Sequence, residues 1–205
     1  PEKPHAISLF VIEADWPGFK RGANLNKMGM KSQDTAELFF DNIKVPKENL
    51  LGKEGEGFKY LMGGLTEERL ICAICNVGTS EYAFELTKGF VSERKVFGKP
   101  LSAMQNTQFK IAELRARIDM AQAFVDTAVA NINRGDYDSV AASEAKLLSS
   151  ELLCDVADEG VQLHGGAGYM DEYPISRVYS DARITRIFAG TSEIMKLIIA
   201  RSIFE

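Results

Sequence analysis

The chain has 205 residues, 45% of them hydrophobic and 26% charged, and its 24 lysines and arginines against 29 aspartates and glutamates give a formal net charge of −5. Such a composition buries a sizeable core, and basic residues dispersed singly or in pairs exclude a nucleic-acid footprint. No apolar run reaches the length of a membrane span, so none is expected.

Residues 1–52 read as strands and turns. Apolar runs at 6–12 (AISLFVI) and 36–40 (AELFF) are separated by the turn formers Trp16-Pro17-Gly18 and Lys27-Met28-Gly29, and Val45-Pro46 with Asn49-Leu50-Leu51-Gly52 reads as an exit loop. Two or three strands do not make a stable sheet. This part is therefore expected to be the end of a β-domain whose earlier strands lie outside the sequence, which makes the chain a fragment.

From about residue 54 the pattern is helical, and a second domain is expected over 53–205. Its first helix contains LTEERLICAICNVGT, residues 65–79, in which Glu68, Cys72, Cys75 and Thr79 stand at i, i+4, i+7 and i+11. One face would thus carry a carboxylate followed by three small side chains, with room for a ligand, while Leu70, Ile74 and Val77 read as core. An acid near a helix start is also commonly just solvated or balancing the dipole. Between Gln105 and Arg134 the positions Ile111, Leu114, Ile118, Ala121, Val125, Ala128 and Ile132 recur by three and four, which predicts a long helix with a coiled-coil-like seam. Arg134-Gly135-Asp136 is a stop. Another helix is predicted over Ser139–Leu163, with Val140, Leu147, Leu148, Leu152, Val156 and Val161 inward. Pro174 suits the first turn of a helix over 174–185. Thr191 or Ser192 can cap a last one whose Ile194, Leu197 and Ile198 face inward. The sum is an antiparallel bundle of about four helices closed by a short terminal one.

Cys72, Cys75 and Cys154 are an odd count with a single CxxC spacing, and the only histidines are His5 and His164. A zinc site needs more ligands than that, so no metal is expected and the thiols read as small buried side chains.

Three polar stretches between helices are too particular for plain connectors. Glu93-Arg94-Lys95-Val96-Phe97-Gly98-Lys99-Pro100, with Gln105 beyond it, offers a cation, an aromatic ring and an amide suited to a phosphate and a ring system. Gln162-Leu163-His164-Gly165-Gly166-Ala167-Gly168 carries three glycines where a helix stop needs one. Phe188-Ala189-Gly190-Thr191-Ser192-Glu193 feeds a helix N-terminus whose free N–H groups suit an anion or a carbonyl oxygen. There is no GxSxG elbow, and these glycines follow helices, where a dinucleotide fingerprint would need a strand.

In this order the residues resemble the acyl-CoA dehydrogenase family in its C-terminal half. The matching residues are Arg94-Lys95-Val96-Phe97-Gly98 with Gln105, Gln162 to Tyr169, Asp181-Ala182-Arg183 and Ala189-Gly190-Thr191-Ser192-Glu193-Ile194. The resemblance implies an α+β chain: an antiparallel bundle of acyl-CoA dehydrogenase type preceded by the last strands of a β-barrel-like middle domain. It implies FAD as cofactor, an acyl-CoA substrate, and loss of the α-proton to a carboxylate as the β-hydrogen leaves as hydride. Arg94, Phe97 and Gln105 would hold the FAD of a neighbouring subunit, with Gln162, Leu163, His164, Gly165 and Gly166 along the same dinucleotide. Thr191, Ser192 and Glu193 would contact the subunit's own FAD. A homo-oligomer follows, a dimer of dimers, with electron-transferring flavoprotein as electron acceptor, in a bacterial cytoplasm or a mitochondrial matrix.

Many members place the catalytic glutamate immediately before the Gly-Thr of the last loop, where this chain has Ala189. A minority arrangement, similar to the isovaleryl-CoA and long-chain enzymes, puts it before an arginine on the first bundle helix, and Glu68-Arg69 matches that placement. Glu68 is then the expected base. Arg69 is expected at the CoA phosphates, and Ala189 and Gly190 at the thioester, where the Ala189 N–H meets the developing enolate. The chain by itself is expected to be inactive. Rival readings are an acyl-CoA oxidase or a nitroalkane oxidase on the same fold, and a non-catalytic helical interaction module.

Overall fold

The structure, a computed structural model, describes residues 6–205, which divide between Leu65 and Thr66 into two compact units.

In the first unit, β1 (Leu9–Phe10) pairs antiparallel with β4 (Leu50–Leu51), and β2 (Phe19–Asn24) pairs antiparallel with β3 (Ala36–Phe40). The expected strand over 6–12 is thus shortened to two residues, and Leu50-Leu51, expected as loop, is a strand. β2 escaped the sequence reading because FKRGAN neither alternates nor lacks glycine. Its register with β3 shifts between Arg21 and Asn24. The chain turns into β2 at Gly18, whose φ of 93° suits glycine, and a Cβ there would stand 2.2 Å from the Asp41 carbonyl oxygen. α1 (Gly57–Glu93) begins in this unit, where the Gly57 N–H donates to the Ile7 carbonyl at 2.8 Å.

The second unit holds the rest of α1, a hairpin of β5 (Lys95–Val96) and β6 (Lys99–Pro100), α2 (Gln105–Asn133), α3 (Ser139–His164), α4 (Pro174–Ala182) and α5 (Ser192–Phe204). Single 3₁₀ turns, Gly165–Tyr169 and Arg183–Arg186, flank α4. Local chemistry sets the ends. Gly135, at φ 87°, closes α2, the Asp138 carboxylate accepts from the Val140 and Ala141 amides at 2.8 and 3.0 Å to start α3, and Pro174 occupies the first turn of α4.

The α2 seam is as its spacing predicts, with Leu114, Ile118, Val125 and Ala128 buried and Ile111, Ala121 and Ile132 packed against the same cores. α3 differs. Leu148, expected inside, is 57% exposed, and the helix instead turns Ala142, Ser143, Ala145, Lys146, Ser149 and Ser150 inward. Small side chains let the backbones come close: a Cβ on Gly160 would lie 2.6 Å from Ile175 Cδ1 of α4 and 2.9 Å from Thr87 Oγ1 of α1. The polar groups this buries are satisfied by Asn76 Nδ2 donating to Ser149 Oγ at 3.2 Å and by Ser80 and Thr87 hydroxyls donating one helical turn back. On α1, Leu70 and Val77 are buried but Ile74 is exposed; on α5, Met195 goes inward while Ile194 and Leu197 stay exposed. In both cases i, i+3 and i+4 positions leave two candidate stripes, and only the neighbouring helices choose between them.

His164 ends α3 buried, its Nδ1 2.7 Å from the Gly160 carbonyl oxygen and its ring stacked on Phe90 with centroids 4.2 Å apart. Desolvation holds its pKa below the usual 6.5, with the Gly160 bond opposing. The unfolded chain therefore binds a proton more readily than the folded one, so stability is full above that value and falls as pH drops below it. The thermal midpoint is expected to drop between about pH 7.5 and about pH 5.5, and His164→Phe, which keeps the stack, is expected to flatten that slope; an unchanged slope would remove His164 as its cause.

Candidate active site

The strongest local geometry in the second unit is the turn between the 3₁₀ segment Arg183–Arg186 and α5. Ala189 has φ 53° and Gly190 φ 99°, so an alanine stands in the left-handed region, which costs about 1 kcal/mol and persists only where neighbours hold it. Two contacts do so: Lys146 Nζ donates to the Gly190 carbonyl at 2.6 Å, and Arg69 Nε reaches the Ala189 carbonyl at 3.5 Å, its own Nη1 reaching Ser143 Oγ at 3.5 Å. Gly190 has no space for a side chain, since a Cβ would lie 2.7 Å from Met195 Cε. Beyond the turn, Thr191 Oγ1 caps α5 by accepting from the Ile194 N–H at 3.3 Å. Ser192 Oγ donates to Glu151 Oε1 at 2.8 Å, and Glu151 Oε2 pairs with Arg186 at 2.9 Å.

Arg69 is 7% exposed and Lys146 0%. Burial pulls the pKa of both down: for Arg69 the charge of Glu68 opposes it, and for Lys146 Cys72, Glu151 and Glu193 oppose while Arg69 adds to it. Two cations thus stand behind one turn and meet its backbone oxygens. All peptides here are trans, so a carbonyl held inward turns the N–H of the same peptide outward. The Gly190 and Thr191 amides therefore face away from Arg69 and Lys146, while the expected donor, the Ala189 N–H, belongs to the preceding peptide, which neither cation touches. The Glu193 carboxylate sits below its usual range because its own backbone amide and the Thr191 hydroxyl bond it.

Glu68 is exposed on α1, one residue before the arginine that reaches Ala189. Arg69, and not Glu68 itself, makes the contact with the alanine-glycine turn. The ligand face predicted beside Glu68 is narrower than its spacing suggested: Cys72 is buried, accepts from Asn76 Nδ2 at 3.7 Å and has its thiol pKa raised by burial. Cys75 is exposed, which corrects the expectation of three buried thiols, and Cys154 is half-buried. Arg69 is turned inward onto Ala189 and Ser143, a placement that does not fit the expected grip on CoA phosphates.

The other predicted residues gather at the far end of the bundle. Eighteen residues separate Lys146 from His164, about 27 Å along α3. There Phe90, near the end of α1, stacks on His164, which sets the β5–β6 hairpin beside the end of α3. Phe97 at the hairpin tip is 98% exposed with φ 49°, and Arg94 and Gln105 are exposed beside it. Gln162 is exposed and Leu163 half-buried, and a Cβ at Gly165 or Gly166 would meet nothing, so that backbone is open to close approach. The His164 ring is the exception: it is buried against Phe90 and is not open to a cofactor. Gly168 is packed, not open, with Val161 O 2.6 Å from a Cβ placed there. Among the described residues no group of His, Cys, Asp and Glu could hold a metal ion, and no helix is long and apolar enough to cross a membrane; His5 lies outside them.

Sequence reasoning missed Ser143, Lys146, Glu151 and Arg186. One signal was available: at i−4, i−3, i+3 and i+4 from Lys146 stand Ala142, Ser143, Ser149 and Ser150, and a lysine ringed by small residues on one helix face marks a close helix contact.

The model of the family described as "Acyl-CoA dehydrogenase, C-terminal domain" matches residues 55–204, and the chain belongs to that family. It is 50% identical over 199 residues to the mitochondrial long-chain specific acyl-CoA dehydrogenase of Sus scrofa, covering 97% of this chain and 46% of that protein. The crystal structure of acyl-CoA dehydrogenase from Geobacillus kaustophilus superposes with a TM-score of 0.97 at 48% identity, over 99% of this chain and 54% of that one. An acyl-CoA dehydrogenase complexed with FAD from Bacillus anthracis does so at 0.91 and 32% identity, over 96% of this chain and 37% of that one. The chain spans about half the length of the curated relatives it matches.

Glu151→Ala removes both the Ser192 and the Arg186 contact. It is expected to lower stability by about 1–2 kcal/mol, read as a fall in the thermal unfolding midpoint.

Proposed function

We propose that the whole protein is an FAD-dependent acyl-CoA dehydrogenase, which removes the α-proton of an acyl-CoA thioester through Glu68. The observation that carries this is the Arg69–Ala189 contact, which sets the residue after Glu68 against the turn where many relatives keep their glutamate and this chain has alanine. A carboxylate exposed on the helix flank beside that turn replaces one on the turn itself. The Ala189 N–H, in the turn whose carbonyls Arg69 and Lys146 hold, suits a thioester oxygen gaining charge as the α-proton leaves.

The residues present fit FAD. The open backbone at Gly165 and Gly166, the bare ring of Phe97 and the cation of Arg94 suit a dinucleotide's phosphates and ring, and Thr191 and Glu193 at the start of α5 suit a second contact, whereas the buried Ser192 hydroxyl is spent on Glu151. FAD, when bound, supplies the acceptor for the β-hydride. The two groups stand about 27 Å apart along α3, which supports the reading that the hairpin end serves the cofactor of a neighbouring copy in a homo-oligomer, arranged as a dimer of dimers. Electron-transferring flavoprotein is the proposed acceptor. The compartment is a mitochondrial matrix or a bacterial cytoplasm, in line with relatives from both sources.

The test is anaerobic titration of the full-length enzyme with acyl-CoA thioesters while watching the flavin spectrum. Glu68→Gln is expected to keep FAD and acyl-CoA binding and to slow substrate-dependent bleaching about a thousandfold. Bleaching at the unaltered rate removes Glu68 from this role.

A further inference from the structure

Among the described residues Lys146 is the one lysine of the core, and the family reading gives it nothing to do. It is fully buried in the middle of α3, among Ala142, Ser143, Ser149 and Ser150. A buried cation is poor evidence of a stability role, because an apolar side chain of similar volume usually serves a core as well or better. The geometry gives another reason for it. Its ammonium donates at 2.6 Å to the Gly190 carbonyl, in a turn whose other carbonyl is met by Arg69 and whose alanine sits in the left-handed region.

We propose that Lys146 is a positioning residue for the reaction at this turn: by holding the Gly190 carbonyl it fixes the turn that carries the Ala189 N–H, and it sets a buried positive charge behind the thioester oxygen. This rests on the acyl-CoA reading above. In the step concerned the α C–H bond breaks, its proton passes to the Glu68 carboxylate, and the electron pair moves into the C–C bond as the thioester carbonyl pair moves onto oxygen. Lys146 keeps its proton throughout. A charge held in a dry interior is little screened by salt, so it acts on the oxygen across the turn without touching it.

The probe is a thioester of coenzyme A that can lose an α-proton but has no β-hydrogen to give up, 3,3-dimethylbutyryl-CoA, added to the full-length enzyme with its cofactor in deuterated buffer. Proton NMR follows α-exchange, isotope-edited infrared follows the carbonyl stretch of the bound thioester, and titration gives its affinity. In Lys146→Met exchange is expected to slow about a hundredfold, with affinity changed less than about threefold and the red-shift of the carbonyl stretch reduced. Lys146→Gln, which keeps a donor without the charge, is expected to lose about tenfold. Exchange within about threefold of the unaltered enzyme in a folded variant overturns the proposal, as does an unshifted carbonyl stretch or a failure of both variants to fold, which would make the lysine structural. An unaltered enzyme that binds the thioester and exchanges no α-proton overturns the proposed function itself. Exchange that survives in the variants overturns only the role of Lys146.

Discussion

The structure of the second unit turns on two buried cations spent on backbone oxygens. Lys146 and Arg69 come from different helices, α3 and α1, and meet the carbonyls of consecutive residues, Gly190 and Ala189. Cations in an interior are stable only when bonded, and a carbonyl at the end of a short turn offers half a dipole for the purpose. The same contacts hold an alanine where alanine is unfavourable. Helix packing, turn conformation and local charge are therefore one constraint: the turn cannot relax without leaving two charges unpaired.

What allows the constraint is the small-residue face of α3. With serines and alanines turned inward and larger side chains such as Leu148 left outside, α3 comes close enough to α1 for a lysine on it to reach past the helix surface to the turn before α5. The price is a polar core, met by the Asn76–Ser149 bond and by hydroxyls bonding one turn back. Greasier packing, through α2 and the Ile175 and Val178 face of α4, supplies the apolar burial elsewhere. At the opposite end Phe90 and His164 do by ring stacking what the cations do here, fixing the hairpin beside the glycine run.

The proposed use of Glu68 as base requires that α1 and the turn keep a fixed relation, since a general base works only within hydrogen-bond reach of its proton. In that reading Arg69, turned inward onto the Ala189 carbonyl, is the link between the two. Membership of the acyl-CoA dehydrogenase family rests on the match over residues 55–204, and the geometry adds how this member is built around an alanine.

The sequence by itself determined the helices and the polar stretches between them, because these depend on local chemistry: the α2 seam, the Gly135 stop, the Thr191 cap and Pro174 at a first turn. It left open which stripe of a helix faces inward, and there Ile74, Leu148, Ile194 and Leu197 went outside while Cys72 and Lys146 went in. Only the tertiary structure decided that a lysine and an arginine separated by 77 positions close on adjacent carbonyls. A helix with several half-apolar faces takes its rotation from its neighbours, and a buried charge is legible only once the oxygen that pairs with it is in place.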